Sequence, residues 1–104
     1  MTDYILAIST CKRENAEEIS RVLIEGRLCA CVNILNSVKS IYHWKNEIEV
    51  EEESLLLMKT EAGLEQPLKE ALLRIHPYET AEFITVPISS GSKDYLNWIS
   101  SSLH

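Results

Sequence analysis

The octapeptide His76-Pro77-Tyr78-Glu79-Thr80-Ala81-Glu82-Phe83 gathers an imidazole, a phenol and two carboxylates into one short stretch. Imidazole and carboxylate together suit borderline ions such as copper or zinc, and a phenol can line a binding cleft. Cys29 and Cys31, two residues apart on an expected strand, would leave the same face and could present two thiolates to a soft ion such as Cu(I). Buried cysteine, however, is more often a small apolar core residue. Cys11 lies in the expected loop before the first helix, near a helix N-terminus that favours a thiolate. Lys59 closes the run Leu57-Met58-Lys59-Thr60, where its ammonium could meet Glu82 or an anionic ligand, or simply snorkel to water. Tyr42, Trp44, Tyr78 and Trp98 are candidate walls of a cleft between subunits, or plain interface packing. His43 and His104 read as exposed groups without a role. No nucleophile, base and orienter stand together, and Gly-rich nucleotide loops, HExxH and CxxC are absent, so the chain reads as a non-enzyme.

Those groups must be positioned by a small scaffold. The 104 residues, 45% of them hydrophobic, make a single domain over 1–104 with a modest core. A net charge of −6 argues against a nucleic-acid partner. Glu47, Glu49, Glu51, Glu52 and Glu53 could collect cations, although a solvated strand face is the more ordinary reading of such a run. The N-terminus carries Asp3 and only a short apolar run, Tyr4 to Ile8, which fits neither a secretory signal nor a membrane span. A cytoplasmic location is therefore expected. Three cysteines in a chain of that kind imply free thiols rather than a disulfide framework.

Hydrophobic periodicity supplies the elements. Tyr4 to Ile8 reads as a strand, and Ala16, Ile19, Val22 and Leu23 as a helix face ending at Gly26. Residues 30–44 and 48–60 read as two long strands joined at Lys45-Asn46, where Asn tolerates positive φ. A second helix spans Leu64 to Ile75 with Pro67 in its first turn, and Pro77 stops it by disfavouring helical geometry at His76. A strand from Glu82 to Ile88 follows. Ser92 is then positioned to cap a last helix bearing Tyr95, Trp98 and Ile99. The order β-α-β-β-α-β plus a helix is α+β and ferredoxin-like, with helices over one face of an antiparallel sheet. Three strands are apolar at both parities, so the second face should be covered by further copies of the chain, with the long hairpin reaching onto a neighbour.

The segments Arg27-Leu-Cys-Ala-Cys-Val-Asn33, Ser40-Ile-Tyr-His-Trp44, Ile48-Glu49 with Glu53, Leu56-Leu-Met-Lys-Thr60, His76-Pro-Tyr-Glu79 with Glu82, and Tyr95-Leu-Asn-Trp98 follow in the order and spacing of one family. Over nearly its whole length the chain resembles the CutA divalent-cation tolerance proteins. The resemblance implies a homotrimer similar to the PII signalling proteins, linked to tolerance of divalent metals, chiefly copper. It also implies that Cys31, Lys59, His76, Tyr78, Glu79 and Glu82 face a cleft between subunits. Cys29, Asn46 and Ala81 depart from the family's usual Ala, Gly and Pro. The leading expectation is a copper site, Cu(II) or Cu(I) ahead of zinc, with His76 and Cys31 as ligands and Glu79 or Glu82 assisting. The alternatives are a PII-like sensor, binding an anionic metabolite through Lys59 between Tyr78 and Trp44, and a trimeric protein-interaction scaffold.

Overall fold

Strict alternation along the first strand divides the molecule into two sides. In the computed structural model, which describes residues 3–104, β1 runs Tyr4–Cys11 with Ile5, Ala7, Ser9 and Cys11 buried and their neighbours half-buried. It is followed by α1 (Arg13–Glu25), β2 (Cys31–Trp44), β3 (Glu47–Glu61), a single 3-10 turn, α2 (Glu65–Ile75), β4 (Ile84–Ile88) and α3 (Lys93–Leu103). The strands lie in the order β2-β3-β1-β4, each pair antiparallel, which is the ferredoxin-like arrangement expected from the element order.

The core forms on the side of α1 and α2. Ala16, Ile19 and Leu23 of α1 and Leu68, Ala71 and Leu72 of α2 meet Ala7 and Cys11 of β1 and Leu56 and Met58 of β3. Each fully buried leucine or methionine contributes about 1.5–3 kcal/mol through burial. On the opposite side, Leu6 stands level with Lys59 and Val86, Ile8 level with Leu57 and Ile84, and Lys59 level with Cys31. This second face is apolar but open in the single chain: Ile84 is 53% exposed and Val86 43%. Only one corner of it is covered, by α3. There Ser100 donates to Glu61 Oε2 at 2.6 Å and meets the Tyr4 hydroxyl at 2.6 Å, and Lys59 Nζ donates to Tyr95 at 3.2 Å.

Several local expectations need correcting. The fourth strand begins at Ile84 rather than Glu82, because ladder pairing with β1 ends at Ile8–Ile84 and Glu82 turns to the Thr10 hydroxyl instead. Ser92 does precede α3, but its side chain makes no cap; its carbonyl accepts from the Leu96 N–H at 3.0 Å. Cys29 and Cys31 do not share a strand face. β2 starts only at Cys31, while Cys29 precedes it and is buried in the helical core.

The hairpin of β2 and β3 turns at Lys45 (φ 51°) and Asn46 (φ 68°), both left-handed as a tight primed turn demands. Between Leu35 and Val38 the register slips: three steps along β2 oppose two along β3, from Leu55 to Glu53. This bulge places Ser37 at φ 65°, a region that costs a residue with a Cβ about 1–2 kcal/mol. Ser37→Gly is accordingly expected to raise stability by roughly 0.5–1 kcal/mol, read as a later urea midpoint at unchanged slope. An unchanged or earlier midpoint would show that the bulge carries no such strain.

Candidate functional site

Beyond the bulge the hairpin leaves the core, and its inner side faces the end of β1 and the loop after α2. An open cleft of ≈ 710 Å³ lies there, with Thr10 and Lys12 at its base, Tyr42, Trp44, Glu49, Glu51 and Glu53 from the hairpin, and Tyr78, Glu79 and Glu82 from the loop. Glutamates 47, 49, 51 and 53 alternate along β3, so they share one side of it. Tyr42 pairs directly with Glu49, and Trp44 with Glu47. Five carboxylates thus line one cleft, with a single lysine among the lining residues.

Glu53 lies deepest, 5% exposed, and its Oε2 accepts from the Tyr78 hydroxyl at 2.8 Å. Burial pushes the Tyr78 phenol up, and its bond to the Glu53 carboxylate pushes it further. Tyr42 is raised too, by desolvation first and then by Glu51 and Glu53. The Glu82 carboxyl is held above its ordinary range by partial burial; its bond from Thr10 opposes the shift and the Glu53 charge adds to it. Such a cleft disfavours its own ionised state, which is the physical condition for drawing in a cation.

His76 follows the last turn of α2 in extended conformation, as Pro77 requires. It is only 7% exposed, and both ring nitrogens are in use. Nδ1 accepts the Tyr78 N–H at 3.1 Å, so the proton sits on Nε2, which donates to the Thr10 carbonyl at 2.8 Å. The ring also packs against Tyr78 with centroids 4.7 Å apart. Within one chain this imidazole ties the loop to β1 and offers no free lone pair to a metal.

Cys31 lies elsewhere. It stands on the second sheet face opposite Lys59, four residues along the register from the level of Thr10, or about 13 Å. Its Sγ has Asn33 Oδ1 at 3.9 Å. The structure therefore brings Glu79, Glu82, Tyr78 and Trp44 to one cleft, but in a single chain it joins neither Cys31 nor Lys59 to them. Lys59 instead lies over the Tyr95 ring at 5.3 Å. Among the described residues, no three His, Cys, Asp or Glu side chains of one chain form a ready metal cage. The residues that sequence reasoning undervalued are Glu49, Glu51 and Glu53. Their i, i+2, i+4 spacing is the available signal, and it fits a solvated strand face equally well.

The two buried thiols are chemically quiet. Burial lifts Cys11 to about 11, helped by the Glu53 charge, and Cys29 to about 12, helped by Cys31. Both are raised above the ordinary value of 9.0, so folding holds them protonated. Their contribution to stability is complete below about pH 9 and is lost as pH climbs through 11 and 12. In a Cys31→Ser chain, no thiol is expected to react with Ellman's reagent at pH 8 until denaturant is added, when two should appear. Rapid native-state labelling would contradict that burial.

A sequence profile of the CutA1 divalent ion tolerance proteins matches residues 4–102. Protein CutA of Mus musculus is 44% identical over 94 residues, covering 89% of this chain and 53% of the mouse protein. The chain spans about half the length of that relative and of its human counterpart. The crystal structure of CutA from Xylella fastidiosa superposes with a TM-score of 0.94 at 41% identity, covering 98% of this chain and 99% of that one. A PII-like protein CutA from Nostoc in apo form gives 0.89 at 32% identity, covering 100% of this chain and 98% of that one. Matched in sequence and in fold along nearly its whole length, the chain belongs to the CutA1 divalent ion tolerance family.

Proposed function

We propose that this chain is the non-enzymatic subunit of a homotrimer that binds a divalent cation, copper ahead of zinc as the candidate, and serves metal tolerance in the cytoplasm. The observation that carries the reading is the cleft itself, which five carboxylates and one lysine line and in which the Glu82 carboxyl is pushed up. Trimer formation is supported by the open apolar second face, which obligate interfaces resemble, and by the likeness to a protein described as PII-like. No helix among the described residues is long and apolar enough to cross a membrane. The metabolite-sensor alternative is anchored on Lys59, which a single chain keeps at Tyr95 and away from the cleft. The ligand set that one chain does not close is completed, in this reading, by water or by a neighbouring subunit.

Native mass spectrometry of the metal-freed protein, before and after equimolar Cu²⁺ or Zn²⁺, tests both halves. A trimer that takes up cation, and takes up less of it as Glu82→Gln, is the expected result. A monomer would remove the assembly, and a trimer indifferent to both ions would shift the reading to a protein-interaction scaffold.

A further inference from the structure

Along the outer hairpin three residues other than glycine hold left-handed backbone: Ser37 (φ 65°), Lys45 (φ 51°) and Asn46 (φ 68°). Of these only asparagine takes that region readily, so Ser37 and Lys45 are held there by their surroundings. All three serve one arrangement. Asn36 and Ser37 together oppose Ser54, which makes Ser37 the extra residue of β2, and the two-residue turn of Lys45 and Asn46 closes the ladder at Trp44 and Glu47. On the inner side of the bulge the pairing is pinned, because the buried Ser54 hydroxyl donates to Asn36 Oδ1 at 2.6 Å. Outward of that bond Ile41, Ile48 and Val50 are 65%, 65% and 58% exposed, so burial does little to choose a register.

The same residues can pair without a bulge. An even ladder continued outward from Asn36 and Ser54 sets Lys39 opposite Glu51, Ile41 opposite Glu49 and His43 opposite Glu47, and leaves Trp44, Lys45 and Asn46 as a three-residue loop. Such a loop is a common hairpin connection that needs only its last residue left-handed, here Asn46. The extra residue moves from position 37 to the turn, and Ser37 and Lys45 relax. The cleft changes with it. Ser40, Tyr42 and Trp44 leave, while Lys39, which now stands opposite Glu52 without an ion pair, comes opposite Glu51 with Glu49 and Glu53 as diagonal neighbours. We propose that the outer hairpin is a two-register switch, in which the bulged register leaves the acidic cleft open and the even register fills it with the chain's own Lys39, the Asn36–Ser54 bond being the fixed point between them. The switch belongs to the hairpin and stands whichever ligand the cleft takes; an occupant of the open cleft shifts the population toward the bulged register.

The test is relaxation-dispersion and saturation-transfer NMR on the deuterated full-length protein without added ligand. Wild type should show millisecond exchange over residues 38–50 with a minor state of about 1–10%, and none over 31–35. Deleting Ser37 removes the residue that the switch displaces, keeps Trp44 against Glu47, and should abolish the exchange. Ser37→Val combined with Lys45→Val puts β-branched side chains at two left-handed positions, which they resist. The even register should then become the major one, read as cross-strand contacts of Glu47 with His43 in place of Trp44. Absence of exchange in wild type overturns the switch, whether or not the double variant folds. Exchange that survives deletion of Ser37, or a folded double variant that keeps Trp44 against Glu47, overturns it equally.

Discussion

Replacing His76 by alanine is expected to cost about 2–4 kcal/mol of stability in the complete absence of metal. The substitution empties a buried ring position and strands two backbone groups, the Thr10 carbonyl and the Tyr78 N–H, that the imidazole now satisfies at 2.8 and 3.1 Å. A buried unsatisfied polar group costs roughly 1–3 kcal/mol, and the cavity adds to that. Urea unfolding in EDTA measures it directly. His76→Gln should recover part of the loss, because its amide can donate to Thr10 while leaving the Tyr78 N–H without its acceptor. A loss in His76→Ala below about 0.5 kcal/mol under chelation would mean that the ring is free for another task. The corollary concerns metal assays. A weaker metal response in His76→Ala follows from a displaced loop, since Tyr78, Glu79 and Glu82 all hang from it, and so identifies no ligand.

The second large effect is expected at Leu57. It sits midway along an inner strand, level with Ile8 on one side and Asn33 on the other, at the centre of the apolar second face. Leu57→Lys would bury an unpaired ammonium in each subunit contact of the proposed trimer, at a cost of several kcal/mol per site. Analytical ultracentrifugation should then find the mass of a single chain where, on this proposal, wild type is expected to sediment as three. The α1 and α2 core lies on the other side of the sheet and is untouched, so helical circular dichroism should survive at low temperature. Glu25→Gln, on the exposed end of α1, makes the same +1 change in net charge and provides the control. A Leu57→Lys protein that keeps the wild-type mass would place the assembly surface elsewhere.

The residues made the architecture legible because its determinants are local. Short apolar runs marked the strands, Pro77 ended α2, and Lys45-Asn46 marked the hairpin turn that the left-handed φ values bear out. The doubly apolar strands announced a second face with nothing of its own to cover most of it. The site was harder to read, for reasons equally physical. The partner that commits the His76 ring is a carbonyl 66 positions away, which no motif encodes. Cys29 and Cys31 look like a same-face pair only if a strand starts early enough to include both, and β2 does not. The acidic run looked like a solvated edge until the Tyr78 hydroxyl closed over Glu53. For Lys59 the sequence leaves Glu82, an anionic ligand and open water as alternatives, whereas the fold puts its ammonium at Tyr95.

The single extra residue at the bulge has a consequence for how this hairpin can vary. Upstream of it the odd-numbered residues of β2, Cys31 and Asn33, share the face of Lys59 and Leu57; downstream the even-numbered ones, Tyr42 and Trp44, take that same side against Glu49 and Glu47. The bulge therefore acts as a frameshift written in space rather than in codons. Deleting Ser37 would let two steps oppose two and leave Tyr42 and Trp44 against Glu49 and Glu47, whereas a regular ladder that kept every residue would turn Ile41 and His43 to that side and send Tyr42 and Trp44 to the far one. A homologous chain one residue shorter at this point would present the same side chains without a bulge, while one of equal length that lost the bulge would carry an imidazole where this one has a phenol and an indole.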